Sequence, residues 1–286
     1  MVIKYVVCIN KVAVLYIIAT PIGNLNDISV RAIETLKSVD IILAEDTRHS
    51  KKLLSHYNIS TPIQSYHEHN EIKKASSVID SLKSGLKVAL ISDAGTPLIS
   101  DPGYVLVKQA KDSGIEVSPI PGPSALISAL SASGIASDSF SFFGFLPTKS
   151  TARVKAIAAI AHAEETVIFY ESPKRVLASA IEMSSVLGGD RLVCFAKEIS
   201  KSFETIITAT IAEVINYLES KTEHQKGEFV IIISAADKKK RSQSEKQLDK
   251  ILPILLSEMG ASKAAKIASK ITGIDKKYCY QRAIDL

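Results

Sequence analysis

Three observations predict that this sequence folds as an α/β protein. The 286-residue chain is 46% hydrophobic but only 6% aromatic and contains no Trp, and such aliphatic content is typical of buried parallel strands covered by helices. Short apolar runs alternate with amphipathic stretches over residues 14–122, as β-α repeats require. The chain is also longer than most single small domains. We therefore expect two α/β lobes followed by a small helical domain.

The first predicted lobe covers residues 14–122. Its strands are expected at the short apolar runs, and its helices where apolar residues recur with helical spacing. Ser29 and Asn70 are predicted to cap two of these helices through their side chains. The predicted strands lie at 14–20, 40–44, 62–65, 87–92 and 116–120, and the predicted helices at 29–37, 70–84 and 104–113.

The second predicted lobe covers residues 123–236 and begins within the turn-forming segment Pro121-Gly122-Pro123-Ser124. Ser124 is expected to cap a helix of small residues at 125–133. Two apolar runs separated only by residues 199–203 indicate a hairpin, so this sheet is expected to be mixed. Its predicted strands lie at 140–146, 166–170, 192–198, 204–209 and 229–234.

A charged linker at 237–247 leads to a predicted basic helical domain at 248–286. Gly260 and Gly273 separate three short helices there, and the break at Gly273 resembles that of a helix-turn-helix. The predicted helices lie at 248–259, 262–271 and 276–284. Residues 1–13 are an extension whose apolar stretch is too short and too interrupted for a membrane span or a signal peptide. We therefore expect no membrane association.

The basic residues are concentrated at the C-terminus. The net charge is +5, but residues 238–286 hold 12 Lys and Arg against five Asp and Glu, a net of +7, so residues 1–237 carry −2. Such asymmetry indicates that the tail meets a polyanion. A solvated linker and helix without such a partner is the alternative.

The spacing of cysteine and histidine indicates neither disulfides nor a metal site. Cys8, Cys194 and Cys279 are isolated thiols without a C-x-x-C pair, which suits a reducing compartment. His67 and His69 would share one face of a strand, but no third ligand has suitable spacing. We therefore predict a cytoplasmic protein without a metal.

The most distinctive loop runs from Ser92 to Gly103, directly after an apolar strand. Its two glycines and two prolines would fix a backbone that a ligand can approach closely, and Asp93 and Asp101 supply acceptors for hydroxyl, amine or cationic groups. Ligands of open α/β sheets bind beyond the carboxyl ends of strands, so we expect a ligand site here. An ordered structural turn is the alternative.

Glu45, Asp46 and Arg48 follow a predicted strand of the first lobe, where a βα loop would face the ligand site. Capping of the next helix is the alternative, because an acidic residue ahead of a first helical turn is favourable. The residue types alone do not decide between these two roles.

Glu171, Lys174 and Arg175 have the same position in the second lobe, with Pro173 at a predicted helix start. Two cationic side chains in a first helical turn are unfavourable because the helix dipole is positive there. Another role, such as contact with RNA phosphates, is therefore expected for them.

Seven motifs resemble, in order, those of one protein family. The first is LYIIATPIGNL at 15–25, and the fourth is the loop at 92–103. The others are EDTR at 45–48, YHEHNE at 66–71, PGPSA at 121–125, GFLP at 144–147 and YESPKR at 170–175. On these motifs the chain resembles the ribosomal RNA small subunit methyltransferase I family, within the tetrapyrrole methylase superfamily. The resemblance extends over residues 14–286, including the basic tail.

The resemblance implies two lobes of the tetrapyrrole methylase type with a cofactor cleft between them. It also implies S-adenosylmethionine as the cofactor, 2′-O-methylation of cytidine 1402 in the 16S rRNA of the small ribosomal subunit, and a homodimer. The motif match assigns cofactor binding to Asp93, Gly95, Thr96, Pro97, Asp101, Pro102, Gly122, Pro123 and Ser124. The catalytic candidates are Glu45, Asp46, Arg48, Glu171, Lys174 and Arg175, among which the sequence does not assign the base.

Two other functions are compatible with parts of the sequence. A methyltransferase of the same superfamily could act on a corrin precursor or on diphthamide, and a nucleic-acid-binding regulator could sense a metabolite with its lobes and read DNA with its tail. A Rossmann methyltransferase is disfavoured because no G-x-G-x-x-G follows a predicted strand. The basic tail favours RNA, because its cations can hold ribosomal phosphates and only RNA carries a 2′-hydroxyl. Those cations are Lys238 to Arg241, Lys263, Lys266, Lys270, Lys276, Lys277 and Arg282.

Overall fold

The computed structural model describes residues 13–236 and 243–286. These residues confirm the α/β class, with two five-stranded sheets followed by three helices. The described residues up to Ala235 form one compact unit, and those from Ala236 onward form a second. We keep the names first lobe and second lobe for the two parts of the first unit that hold the sheets. The predictions for residues 1–12 and 237–242, including Cys8 and Lys238 to Arg241, lie outside the described residues.

The first lobe contains a parallel sheet and four helices. The strands are β1 (Val14–Ile18), β2 (Ile41–Ala44), β3 (Ile63–Ser65), β4 (Val88–Ile91) and β5 (Glu116–Ile120), and the helices are α1 (Val30–Ser38), α2 (Thr47–His56), α3 (Glu71–Lys83) and α4 (Tyr104–Asp112). The strand order is β3-β2-β4-β1-β5, and all five predicted strands are confirmed. The run VALI of β4 is buried along its whole length, as expected of a central strand that helices cover on both faces.

The helices of the first lobe pack on opposite faces of the sheet, and the direction of the connections reverses between β1 and β4. α1 and α2 pack on the face that carries Ile18 and Ile91, whereas α3 and α4 pack on the face that carries Leu15 and Leu90. α1 leads from β1 to β2, and α4 leads from β4 to β5 in the opposite direction, so the order reverses between these neighbouring strands. The reversal creates a crevice at their carboxyl ends, where ligands of open α/β sheets bind.

The second lobe contains a mixed sheet and four helices. The strands are β6 (Phe140–Phe145), β7 (Thr166–Glu171), β8 (Leu192–Lys197), β9 (Thr205–Thr210) and β10 (Phe229–Ile233), and the helices are α5 (Ala125–Ala132), α6 (Ser150–Ala159), α7 (Val176–Leu187) and α8 (Ile211–Ser220). The strand order is β6-β7-β10-β8-β9, in which only β6 and β7 are parallel. The predicted mixed sheet and the β8–β9 hairpin are therefore confirmed. α6, α7 and α8 cover one face, and α5 packs on the other.

Three helices, α2, α6 and α8, have no counterpart among the predicted ones. α6 is rich in Ala and buries only Arg153 and Ile157, so its apolar periodicity is weak. α8 begins with a capping box, in which Thr210 and Glu213 accept hydrogen bonds from each other's backbone N–H groups. The Thr-x-x-Glu pattern at 210–213 was therefore a usable start signal for α8.

Of the three predicted side-chain caps, only that of Ser29 is present. Ser29 Oγ accepts a hydrogen bond from Ala32 N at 3.2 Å. Asn70 Oδ1 instead accepts from His67 N at 3.0 Å, and Ser124 stands at the N-cap of α5 without a capping bond. The caps predicted for Asn70 and Ser124 are wrong because Asn70 closes the preceding turn and Ser124 lines a cavity between the lobes.

The C-terminal unit contains the three predicted helices. They are α9 (Gln243–Glu258), α10 (Ala261–Thr272) and α11 (Lys276–Ile284). Gly273 ends α10 in the left-handed conformation, with φ 73°, and Asp275 caps α11 by accepting hydrogen bonds from Lys277 N and Tyr278 N. The small core consists of Leu248, Leu252, Ala264, Ala265, Ala268, Cys279 and Ala283. Across the two described ranges, no helix has the length and apolar character needed to cross a membrane.

Candidate active site

A cavity of about 410 Å³ lies between the two lobes. The first lobe contributes its loop after β4 and Ile22 from the loop after β1, and the second lobe contributes the start of α5 and residues near the ends of β6, β7 and β10. Five of the nine predicted cofactor residues line it, namely Asp93, Gly95, Thr96, Asp101 and Ser124. Pro97, Pro102, Gly122 and Pro123 are not part of the lining.

Hydrogen bonds tie together the loops that follow β1, β4 and β5. Thr20 N donates to Gly95 O at 2.9 Å, and Gly95 N donates to Thr20 O at 3.0 Å. Thr96 Oγ1 donates to Pro123 O at 3.0 Å. The cavity wall of the first lobe is therefore a connected backbone frame rather than three independent loops.

Two glycines permit the close approach of these loops. Gly95 has φ +83°, a backbone conformation that L side chains rarely adopt. A Cβ atom on Gly122 would stand only 2.9 Å from the Cβ of Ala19, so any side chain there would push the ends of β1 and β5 apart. Gly122 thus shapes the cleft although it does not line the cavity.

The loop after β4 also holds two strained residues. Leu98 has φ 73° and Ser100 has φ 69°, and neither is a glycine. Left-handed backbone costs about 1–2 kcal/mol for each such residue, and it persists where the surrounding structure fixes it, often at ligand sites. In this loop the strained pair flanks Ile99 and precedes Asp101, and both of those residues line the cavity.

Asp46 caps α2, so the helix-capping alternative describes its position. Its Oδ1 accepts hydrogen bonds from Arg48 N at 2.8 Å and from His49 N at 3.5 Å, and the bond from Arg48 N lowers the pKa of Asp46. Asp93 Oδ1 accepts a further bond from Asp46 N at 3.0 Å, which joins this turn to the cavity wall. Asp46 and Arg48 are exposed and do not line the cavity.

Two other carboxyl groups beside the cavity have raised pKa values. Burial raises the pKa of Asp101 to about 6, with the Ser92 hydroxyl lowering it and the charge of Asp93 raising it further. Burial likewise raises the pKa of Glu45, and the negative charges of Asp101 and Asp93 add to the rise. Glu45 is not part of the cavity lining, whereas Asp101 is.

Glu171 borders the cavity but is fully engaged by its neighbours. Its side chain is 0% exposed and pairs with Arg175 Nη2 at 2.7 Å. Its carboxylate also accepts hydrogen bonds from Ser179 Oγ at 2.6 Å and from Ser172 N at 2.7 Å. These contacts fix the turn between β7 and α7, so the geometry favours a structural role for Glu171.

The structure corrects the predicted helix start at Pro173. α7 begins at Val176, with Arg175 as its N-cap, because the turn at 172–175 is organised around Glu171. Lys174 and Arg175 therefore precede the first helical turn. Arg175 is still close to the positive end of the helix dipole, but its ion pair with Glu171 offsets that repulsion. Lys174 is exposed, and neither cation lines the cavity.

Several lining residues lie outside the predicted set. Tyr170 and Phe145 lie within quoted motifs and contact each other with ring centroids 5.5 Å apart. Glu228 and Val230 reach the cavity because β10 pairs with β7 in a register that places Val230 opposite Tyr170. Ile199 comes from the turn of the β8–β9 hairpin. No short motif signals these last three residues, since the pairing of β10 with β7 and the position of the β8–β9 turn bring them here.

His67 and His69 do not lie on a strand, and their ring centroids are 6.0 Å apart. Within residues 13–236 and 243–286, no group of three or more His, Cys, Asp or Glu side chains could hold a metal ion. The structure therefore offers no support for a metal at this pair.

Comparison with known proteins identifies relatives over almost the whole chain. Residues 14–215 match the family Tetrapyrrole (Corrin/Porphyrin) Methylases, and residues 242–286 match the RsmI C-terminal HTH domain. Proteins named ribosomal RNA small subunit methyltransferase I from Vibrio cholerae and Escherichia coli O157:H7 are 48% and 44% identical, each over 96% of this chain and 96% of the relative. The protein of that name from Pseudomonas aeruginosa is 47% identical over 94% of this chain and 96% of its own.

Solved structures share the fold of the two lobes at low sequence identity. A diphthine synthase has a TM-score of 0.59 at 13% identity and covers 78% of this chain and 90% of its own. A uroporphyrin-III-C-methyltransferase from Thermus thermophilus has a TM-score of 0.55 at 14% identity, and the match covers 78% of this chain and 94% of that structure's chain. With the family match, these structures confirm the predicted tetrapyrrole methylase type of fold.

Proposed function

Because the chain belongs to the ribosomal RNA small subunit methyltransferase I family, we propose that it methylates the ribose 2′-hydroxyl of cytidine 1402 in 16S rRNA, with S-adenosylmethionine as the methyl donor. The observation that carries this proposal is the cavity between the lobes, because five of the seven motifs that resemble that family contribute residues to its lining. The relatives match both lobes and the tail. The proposal therefore concerns the whole chain.

The cavity fits S-adenosylmethionine in size and chemistry. Its volume of about 410 Å³ is within the usual range for small-molecule sites, about 300–1,000 Å³. Ile22, Ile99 and Phe229 offer apolar surface for an adenine ring. Asp93 lines the same space, and its carboxylate would attract an ammonium or sulfonium cation.

When bound, S-adenosylmethionine supplies an electrophilic methyl group, so the main tasks of the protein are alignment and exclusion of water. The bonded frame around Gly95 and Thr96 supports alignment because it fixes one wall of the cavity. A ribose hydroxyl is a weak acid, so a neighbouring group must also accept its proton. Such a group has to reach the cavity itself.

The C-terminal unit supports an RNA substrate over a corrin or a protein side chain. Five of the predicted phosphate contacts are exposed lysines on α10 and α11, whereas Arg282 Nε pairs with Asp249 Oδ1 at 3.3 Å and is less available. A corrin precursor lacks the phosphate chain that such cations bind. The exposed lysines are Lys263, Lys266, Lys270, Lys276 and Lys277.

The test is methylation of 30S subunits that lack this modification. With labelled S-adenosylmethionine, we expect label in 16S rRNA, at the 2′-oxygen of cytidine 1402 when nuclease fragments are analysed by mass spectrometry. Folded protein that binds the cofactor but labels no 16S rRNA would contradict the substrate. Label at a nucleobase would contradict the 2′-hydroxyl as acceptor.

Replacing Gly95 with Val is expected to weaken S-adenosylmethionine binding at least about tenfold in calorimetry. Gly95 lines the cavity, pairs with Thr20 and has φ +83°, so a branched side chain would displace this wall. Gly114→Val is the matched control, because Gly114 has φ +69° and open space around it, away from the cavity. Equal cofactor affinity in the two variants would contradict this cofactor site.

We also propose that the protein is a homodimer that acts in the cytoplasm, where its ribosomal substrate is found. Large apolar side chains exposed on the second lobe support a subunit interface. Among them are Ile127, Phe143 and Phe203, which are 49%, 57% and 77% exposed. Sedimentation at micromolar concentration should give twice the mass of one chain. The mass of a single chain would contradict the dimer.

A further inference from the structure

The predicted catalytic residues do not supply an unengaged base at the cavity. Asp46 caps α2 and is exposed outside the cavity, and Glu45 is not part of the lining. Glu171 borders the cavity, but Arg175 and two hydrogen-bond donors occupy its carboxylate. The three cationic candidates do not line the cavity. The proton of the ribose hydroxyl therefore needs another acceptor.

Asp101 lines the cavity. It follows Ser100, whose φ of 69° is one of the strained positions of the loop after β4. None of the ion pairs formed by the described residues includes Asp101. The Ser92 hydroxyl interacts with this carboxylate, which keeps further lone pairs for a ligand in the cavity.

The groups around Asp101 keep it a base of intermediate strength. From the same loop Asp93 raises its pKa, and from the end of β2 Glu45 interacts with it as a second negative charge. From the second lobe Tyr170 lines the same cavity, and its own pKa is raised by burial and by the charge of Asp101. Burial is the largest cause of the pKa of about 6 at Asp101. A general base works best when its pKa is near the working pH.

We propose that Asp101 is the general base of the methyl transfer, an inference that rests on the proposed function. A carboxylate oxygen of Asp101 takes the proton of the 2′-hydroxyl while that hydroxyl oxygen forms a bond to the methyl carbon. The bond from this carbon to the sulfonium sulfur breaks, and its electron pair stays on sulfur as neutral S-adenosylhomocysteine. Water then accepts the proton from Asp101. This role replaces the cofactor contact expected for Asp101 from the motif match.

The test compares Asp101→Asn with Asp93→Asn, because both residues line the cavity from the same loop. At saturating cofactor, the single-turnover rate of the wild-type protein should fall tenfold per pH unit at acid pH and be constant at higher pH, since protonated Asp101 cannot accept a proton. The positive charge of the bound sulfonium should place this acid limb at or below the pH of about 6 that applies to the cofactor-free site. The rate of Asp101→Asn should be lower by about 100-fold or more, and it should no longer fall at acid pH, so that the acid limb of the pH profile is lost. Its dissociation constant for S-adenosylmethionine, from calorimetry, should change less than threefold.

Controls separate this role from folding and from the proposed function. The melting temperature of Asp101→Asn at pH 8 should equal or exceed that of the wild type, because a carboxylate with a raised pKa destabilises the fold when ionised. Asp101→Glu should keep the acid limb at a reduced rate. Asp93→Asn should also keep an acid limb, displaced to lower pH because the negative charge of Asp93 raises the pKa of Asp101. A tenfold weaker cofactor affinity of Asp101→Asn with a normal rate at saturation would overturn the proposal and make Asp101 a cofactor ligand. A wild type that methylates no 16S rRNA would overturn the proposed function and this proposal together.

Discussion

Replacing Glu171 with Ala is expected to lower the free energy of unfolding by about 3–5 kcal/mol, the usual cost of breaking a buried ion pair by removing one partner. Glu171 is 1% exposed, and its loss leaves the guanidinium of Arg175 without its carboxylate. The hydroxyl of Ser179 and the backbone N–H of Ser172 lose their acceptor as well. Urea unfolding at pH 7.5 measures the change.

Lys174→Ala is the matched control, because Lys174 lies in the same turn but is exposed. Its free energy of unfolding should change by less than about 0.5 kcal/mol. Glu171→Gln should lie between the two variants, since an amide keeps an acceptor for Ser179 but loses the charge. If Glu171→Ala instead unfolds like the wild type and loses methylation per folded molecule, Glu171 acts in the transfer step, as the sequence predicted.

The strands could be predicted because a buried strand has a simple sequence pattern, a short run of apolar residues. β2 and β4 are apolar throughout because helices cover both their faces, and the short gap between β8 and β9 admits only a hairpin. The helices were harder to predict from the sequence. α6, for example, has little apolar periodicity of its own and depends on tertiary contacts. Local sequence patterns were therefore sufficient to predict the strands of both sheets but not all of the helices that cover them.

The residues of the candidate site also include some that could be predicted from local sequence and some that could not. Gly95 and Asp101 could be predicted because turn-forming glycines and prolines specify a loop locally, directly after a strand. Glu228 could not, because it reaches the cavity only through the pairing of β10 with β7. Nor does residue type reveal whether a carboxylate is engaged, as the contrast between Glu171 and Asp101 shows. That distinction depends on burial and on neighbours that are distant in sequence.

Removing the C-terminal unit is expected to weaken binding to 30S subunits while leaving S-adenosylmethionine binding unchanged. A chain that ends at Ser234 keeps every residue that lines the cavity, because the last of them is Val230. The removed unit has its own core, and the shortened chain keeps every residue of the core clusters in the two lobes. Each phosphate contact that is lost should reduce the slope of log affinity against log salt by about 0.7 to 0.9.

A full-length variant shows whether charge is the cause. Lys270→Gln, Lys276→Gln and Lys277→Gln together remove three exposed cations near the break between α10 and α11. If all three contact phosphates, the salt slope should fall by about 2 to 3, and affinity at low salt should fall with it. The matched control replaces three exposed lysines near the ends of first-lobe helices with Gln and should leave the slope unchanged. These control residues are Lys37, Lys83 and Lys111.

The two measurements discriminate between a docking element and a solvated appendage. In a docking element, methylation at low 30S concentration falls as affinity falls, whereas the rate at saturating 30S is retained because the cavity is intact. The main body carries −2 and the segment 238–286 carries +7, so little attraction for phosphate is expected once that segment is removed. An unchanged 30S affinity and salt slope in both the shortened chain and the triple variant would show that the lysines are solvated and that the lobes alone recognise the subunit.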